Sequence, residues 1–526
     1  MQTHSLGNAQ DLLDEGHMKL FEIGDKSIVL AKRDGEYYAF DSTCTHYGGP
    51  LQNGVLHGHT VMCPWHHACF DVRTGALQEP PALDAIASYP VHIVDGEVSV
   101  ELDPIARPAP EPIAEGKSFV IVGGGAAGEA AAEALRSQGF AGTLILLSAA
   151  DKVPIDRPNV SKHYLAGDAD AEWMPLRSRE WYARQEIDLQ LNTRVTRIDT
   201  TTHTLVTDKG ATLYYDNLLL ASGSDPLMLD NLPGATLENI FTLRTQSDAD
   251  HIIAQTLENS RVVVVGASFI GMEVAASLGK RGADITIVAL EEVPFAPLLG
   301  EAVGRFWQDV HEEHGIKFQL DSSVKQFHGA DGRVTGVEIS DGTKLPADLV
   351  IVGIGAAPST AYLSGSGIAL DEEDQSVIVD HHLQTSVPDV YAAGDIARFP
   401  LDQDRQIRIE HWRVAQQHGF IAAHNMLGRP DDVRTHVPFF WTAQWGTRLR
   451  YVGFAGGWDE IVFRGDPQDG EFIAFYLRDG KLLAAAGVSQ DVEMSALEFI
   501  LKHDLPLSPD DMRNPEFDLV ARARST

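Results

Sequence analysis

Two stretches of this chain repeat one grammar, and that repeat limits the fold more than any other feature. The apolar run Ser118 to Val122 ends in Gly123-Gly124-Gly125-Ala126-Ala127-Gly128, continues with helical periodicity from Glu129 to Gln138, and returns to a β-type run, Leu144 to Leu147. The same order recurs at Arg261 to Val265, Gly266 to Gly271, Met272 to Arg281 and Ile285 to Val288. Glycine at such a turn lets the backbone bend tightly and approach a pyrophosphate seated on the helix N-terminus. Two such units predict two nucleotide-binding α/β domains, or one nested within the other. Each departs from the ideal pattern. Ser148, with Asp151 nearby, stands where the first unit would place a ribose-binding acid. In the second unit Ser268 replaces the middle glycine and Ala289 the acid. Glu291 lies two residues on, and no arginine is there to meet a 2′-phosphate, so NAD is favoured over NADP.

At 526 residues the chain is too long for one core, and three or four domains are expected. Lys plus Arg number 41 against 75 Asp plus Glu, and the net charge of −34 repels phosphate backbones and anionic lipid. Nucleic-acid and membrane partners are therefore not expected. No run of 18 apolar residues occurs, and the polar, acidic start Met1 to Gly16 reads as cytoplasmic. The three cysteines, Cys44, Cys63 and Cys69, fall close together, which points to a metal site rather than a disulfide framework.

Residues 17–40 alternate short β-type runs with turns at Gly24-Asp25 and Asp34-Gly35, and two more runs, Val91 to Val94 and Val98 to Glu101, extend this all-β unit. Within it lie Cys44-Thr45-His46 and Cys63-Pro64-Trp65-His66. Two thiolates on one iron and two imidazoles on the other make the Rieske form of a 2Fe–2S cluster. Zinc competes, since two Cys and two His also make a tetrahedral site. The tight Cys-x-His spacing and the loop residues Gly48-Gly49-Pro50 and Pro64 favour the cluster. Cys69 reads as a small buried apolar residue, and His57, His59 and His67 as solvated loop histidines. A proline-dense stretch, Asp103 to Lys117, reads as a semi-rigid linker. From Val437 short alternating strands return, followed by a helix near Met494 to Lys502.

Further segments carry a resemblance. Ile155-Asp156-Arg157-Pro158-Asn159-Val160-Ser161-Lys162, Tyr215 to Gly223, Tyr391-Ala392-Ala393-Gly394-Asp395 and Glu410-His411-Trp412 resemble flavin-contacting segments of oxygenase-coupled ferredoxin reductases and apoptosis-inducing factor. With the N-terminal Rieske pattern, the chain resembles apoptosis-inducing-factor-like Rieske flavoproteins over nearly its whole length. The resemblance implies a multidomain fold: an all-β Rieske domain (1–103), a linker (104–117), a glutathione-reductase-like pair of α/β Rossmann-type domains, and a small α+β C-terminal domain (437–526). FAD would bind a split domain, 118–225 and 350–436, with the NAD domain, 226–349, inserted. Gly123, Gly125, Gly128, Arg157, Lys162, Asp395 and Trp412 would hold FAD, and Gly266, Ile270, Gly271, Glu273, Gly353 and Gly355 would line the nicotinamide nucleotide. Cys44, His46, Cys63 and His66 would bind the cluster. Lys162 and Glu273, paired beside flavin N5 in that family, would be the catalytic pair. The absence of a bracing disulfide resembles the ferredoxin type of Rieske protein and implies a low potential within the Rieske range.

The implied activity is electron transfer from NADH to FAD, to the Rieske cluster, and on to an external acceptor: an oxygenase, a ferredoxin or a haem monooxygenase. A monomer or homodimer is expected. The alternative is a redox-sensing interaction protein with incidental NADH oxidation. A terminal oxygenase would need a 2-His-1-carboxylate iron site, and the usual His-x4-His pair is absent. A dithiol reductase would need a cysteine pair beyond Cys69. The aromatic group Phe439-Phe440-Trp441 with Trp445 suggests either core packing, the commoner role, or an electron route shared with Trp412.

Overall fold

A computed structural model describes residues 3–402 and 405–524. Two compact units emerge, neither continuous in sequence. One gathers Met1–Glu111, Thr435–Trp441 and Arg450–Thr526; the other gathers Pro112–Arg434 and Thr442–Leu449.

The first unit is built from antiparallel sheets. Met18–Ile23, Lys26–Arg33 and Glu36–Asp41 pair in succession with Ser88–Tyr89 at the edge, and a second four-stranded sheet runs Val55–His57, Thr60–Met62, Cys69–Asp71, Leu77–Glu79. The strand inner faces make a core containing Val29, Phe40, Leu56, Val61 and Phe70, which also encloses Cys44 and Cys63. The C-terminal portion adds the strands Glu460–Asp466, Glu471–Arg478 and Lys481–Val488 and the helix Asp491–Lys502. Its core is not closed to the rest of the unit. Val55, Met62 and Cys69 pack into one apolar mass with Phe439, Phe475, Met494, Leu497 and Ile500. Sequence alone suggested separate N- and C-terminal domains; here the first and last parts of the chain complete each other's interior.

The second unit contains both glycine-turn repeats. The first forms a five-stranded parallel sheet in the order Ile187–Gln190, Thr143–Leu147, Ser118–Val122, Asn217–Leu220, Val390–Ala392. The second forms another parallel sheet, Ile240–Phe241, Leu349–Val352, Arg261–Val265, Asp284–Val288, Lys317–Gln319. Strands buried on both faces read as continuous Val/Ile/Leu runs, as Val262–Val265 and Leu349–Val352 do. Each sheet is accompanied by a three-stranded antiparallel meander, at Val195–Tyr214 and at Val324–Pro346. The expected boundary at 349/350 cuts a strand: Leu349–Val352 pairs along its length with Val262–Val265, so it belongs to the second sheet. The chain leaves that sheet only at Ala356–Pro358, which pairs with Ser224–Pro226.

Candidate functional site

The cysteine and histidine motifs lie on two loops closed in the same way. In each, the cysteine N–H donates to the carbonyl five residues on (Cys44 to Gly49, 2.8 Å; Cys63 to Ala68, 2.9 Å). Its carbonyl accepts from the N–H four residues on (Gly48, 2.9 Å; His67, 3.0 Å). That fourth position takes a left-handed backbone, φ 74° at Gly48 and 62° at His67. The loops bring His46 Nδ1 to 3.2 Å from His66 Nδ1. Cys44 and Cys63 share a hydrogen bond, which together with burial pushes the Cys44 thiol up and, from the accepting side, holds Cys63 down. Burial lowers His46 to about 4, so its ring is neutral and free to ligate at ordinary pH. A Cβ at Gly49 would lie 2.6 Å from Cys63 Sγ, so only glycine leaves room beside that sulfur. The Cys44–Cys63 pair and the His46–His66 pair, on two loops closed alike with Gly49 clearing room beside Cys63, are the donor set of a Rieske cluster. All three cysteines are buried and outside any disulfide, so none braces the loops.

His67 is not a solvated loop residue. It is fully buried, its Nδ1 lies 2.6 Å from Glu498, and its ring stacks on Phe439 at 4.0 Å. Both partners lie more than 370 residues away in sequence, which is why the local pattern misleads. His57 is likewise packed, stacked on His503 at 4.3 Å and bonded to the Ala523 carbonyl. Trp441 lies against the ligand rings, 4.6 Å from His66 and 6.3 Å from His46. Tyr47, 46% exposed, packs on His46 at 4.1 Å. Phe439 and Phe440 are core residues, as packing required.

In the second unit both glycine turns have the geometry a pyrophosphate needs. Gly123 has φ 117°, and a Cβ there would lie 2.1 Å from the Ala221 carbonyl. A Cβ at Gly128 would lie 1.9 Å from the Gly123 carbonyl. Gly125 caps the helix Ala126–Ser137, and the Arg157 guanidinium lies within 4 Å of where its Cβ would be. Burial lowers Arg157 to about 10, with Arg244 adding like-charge repulsion. Asp395 accepts on Oδ2 from Arg244 (2.8 Å) and Ser224 (2.8 Å). Burial opposes its charge, but Arg244 and Ser224 hold the carboxyl below its ordinary value. Arg244 had no signal in its local sequence; it sits just before the capping box at Thr245. Trp412 opens the helix Trp412–Met426, which approaches the first glycine turn closely: a Cβ at Gly419 would lie 2.3 Å from the Ala127 carbonyl.

The second turn repeats these contacts. Gly266 has φ 103°, a Cβ there would lie 2.4 Å from the Gly353 carbonyl, and one at Gly271 would lie 2.2 Å from the Gly266 carbonyl. Ser268 accounts for the missing glycine: it caps the helix Phe269–Lys280, accepting from Gly271 N–H, and its hydroxyl donates to the Gly353 carbonyl at 2.8 Å. Gly355 has φ 115°. Ile270, Leu290 and Ile354 are exposed apolar residues of this stretch, at 43%, 72% and 37%. Glu273, in the first turn after the glycine loop, is buried rather than solvated. It accepts from Lys162 Nζ at 2.8 Å and Ser161 Oγ at 2.5 Å. Lys162 lies in a π-helical turn, Val160–Tyr164, a distortion frequent at functional sites. The glycine cradles, the Arg157 and Asp395 charges and the buried Lys162–Glu273 pair fit a dinucleotide and a flavin.

Residues 117–419 match the family described as pyridine nucleotide-disulphide oxidoreductase. The chain belongs to that family. Residues 2–90 match the Rieske [2Fe-2S] domain and residues 439–523 the reductase C-terminal domain. Apoptosis-inducing factor 3 of Homo sapiens is 37% identical over 504 residues, covering 93% of this chain and 82% of that protein. Rhodocoxin reductase of Rhodococcus erythropolis is 34% identical over 413 residues, covering 78% of this chain and 96% of its own. The solved covalent complex of putidaredoxin reductase and putidaredoxin contains a chain 33% identical, matched with a TM-score of 0.74 over 78% of this chain and 100% of that one. This member of the family is an FAD-dependent NAD(P)H oxidoreductase of the ferredoxin-reductase type, with a Rieske 2Fe–2S domain. The Rieske match decides between cluster and zinc. Among the described residues no helix is long and apolar enough to cross a membrane.

Proposed function

We propose that this reductase contains its own one-electron carrier, with NADH as donor and an oxygenase, ferredoxin or haem monooxygenase as final acceptor. One observation supports the reading: the chain that has two glycine cradles also matches a Rieske [2Fe-2S] domain, within which His46 and His66 meet at 3.2 Å. Bound FAD supplies the conversion of a hydride's electron pair into single electrons. In this reading Gly123, Gly125 and Gly128 seat its pyrophosphate, Arg157 supplies positive charge beside that turn, and Asp395 receives ribityl hydroxyls. Trp412 closes the flavin's side of the site, and Lys162 with Glu273 flanks its reacting edge. Gly266, Ile270, Gly271, Gly353 and Gly355 line the nicotinamide nucleotide, and Ala289 with Glu291 leaves NADH preferred. The flavin domain runs 118–225 with 353–436 and the inserted NAD domain 226–352, while most of 437–526 joins 1–103 in one unit; the protein is a cytoplasmic monomer or homodimer, and its cluster has a low potential for a Rieske centre.

The relatives support the acceptor class. One is named for rhodocoxin, and another for an anthranilate 1,2-dioxygenase system. Putidaredoxin reductase was solved in a covalent complex with putidaredoxin, whereas here a Rieske [2Fe-2S] domain lies in the reductase chain itself. Anaerobic stopped-flow mixing with NADH tests the order. Cluster absorption should bleach within milliseconds after flavin bleaching, and Cys44→Ser should keep flavin reduction while losing reduction of the acceptor. Cluster bleaching over minutes, or undiminished acceptor reduction by Cys44→Ser, would instead favour a redox sensor.

A further inference from the structure

The strand Phe439–Gln444 places Thr442 and Gln444 on one face by the two-residue period of a strand, and both are buried. Opposite them, on the helix Glu301–Glu313, lies His311, also fully buried. A row of hydrogen bonds joins these residues to Glu273. His311 Nε2 is 2.6 Å from Gln444 Oε1, Gln444 Nε2 is 2.9 Å from Thr442 Oγ1, and Thr442 Oγ1 is 2.7 Å from Glu273 Oε1. The other Glu273 oxygen takes Ser161 and Lys162.

An ionised carboxylate can only accept, and this fixes the sense of the whole row. Thr442 has one hydroxyl proton, which it gives to Glu273, so its oxygen accepts from the Gln444 amide N–H. The Gln444 carbonyl then faces His311, which must carry its proton on Nε2. Its Nδ1 is buried with no partner among the described residues. Burial lowers the ring to about 4 and keeps it neutral. Every donor points toward one acid, an arrangement in which successive bonds polarise one another.

We infer that Thr442, Gln444 and His311 are positioning residues for the Lys162–Glu273 pair: they hold the Glu273 carboxylate in one orientation, so that Lys162 is held in a fixed place beside the flavin. A buried ion pair is stable only when its remaining lone pairs are satisfied, and Thr442 satisfies the oxygen that Lys162 does not reach. Without it that oxygen is left buried and unpaired, the carboxylate turns, and Lys162 is drawn from its place beside the flavin. The inference rests on Lys162 and Glu273 flanking the flavin, as proposed above.

The test uses the holoenzyme. Thr442→Val removes the hydroxyl at nearly constant shape, Thr442→Ser keeps it, and Lys162→Met controls for the location of the pair. A hydrogen bond to a charged group is commonly worth a factor of about ten. Thr442→Val should therefore lower the flavin's two-electron potential by about 30 mV, which is that tenfold change for two electrons. kcat should fall by about the same factor with little change in KM for NADH, and Thr442→Ser should restore both. A Thr442→Val potential equal to wild type, beside a shifted Lys162→Met, overturns the inference alone. An unmoved Lys162→Met overturns the placement of the pair as well. Should Thr442→Val not fold, nitrogen-15 NMR of His311 in the wild-type protein decides: a proton on Nε2 is expected, and one on Nδ1 refutes the row.

Discussion

Leu497 lies on the C-terminal helix, more than 400 residues from the cluster ligands, yet its side chain is fully buried in the same apolar mass as Val55, Met62 and Cys69. Leu497→Ala should therefore weaken the hold on the iron–sulfur centre. Burial of this completeness puts the cost at about 3–5 kcal/mol. For a unit of about 200 residues, each kcal/mol lowers the midpoint by about 2–4 °C, so a fall of roughly 6–20 °C is expected. The assay is thermal melting with two probes: visible circular dichroism of the cluster for the first unit, and flavin fluorescence on release for the second. The cluster signal should be lost at the lower temperature, with flavin release little affected. If the C-terminal helix melts early while the cluster persists to its wild-type temperature, the two ends of the chain do not share a cooperative core, and the reasoning fails.

Ala289→Glu should restore a ribose-binding acid at the end of the strand Asp284–Val288 and raise the preference for NADH over NADPH in kcat/KM by about tenfold; a wild-type preference for NADPH would show that this strand end is misread. His311 titrates near 4 in the fold against an ordinary 6.5, so the unfolded chain binds its proton first. Stability from this residue is present above pH 6.5 and is lost as the pH falls from 6.5 through 4, roughly 3 kcal/mol in all. Acid unfolding followed by flavin release should show this dependence in wild type and not in His311→Gln.

Legibility in the sequence followed the range of the interactions. The glycine turns and the Cys/His loops are local devices, in which each residue answers to neighbours a few positions away, and they fold as the spacing predicts. The helices start earlier than their periodicity indicates, at Ala126 and Phe269 rather than Glu129 and Met272, because the glycine motif itself, through Gly128 and Gly271, makes the first turn of each. The buried state of His67, the role of Arg244 and the row from His311 to Glu273 were not visible. Each depends on partners tens to hundreds of residues distant, and a polar side chain shows no local sign of where its partner will be. The end of the inserted domain was misjudged by three residues for a similar reason: Leu349–Val352 reads equally well as a strand of either sheet until its pairing is known.

The shared core of the first unit also has a consequence for synthesis. Cys44, His46, Cys63 and His66 emerge from the ribosome early, but the residues that pack on Val55, Met62 and Cys69, Met494 to Ile500, come near the very end. At about 5–20 residues per second, the interval is roughly 20–90 s. Throughout it Val55, Met62 and Cys69 lack their C-terminal neighbours and His67 lacks Glu498, while the core around Cys44 and Cys63, all from residues 29–86, is already complete. The core that holds the ligand loops is thus complete well before the C-terminal helix, which arrives last to cover Cys69 and His67.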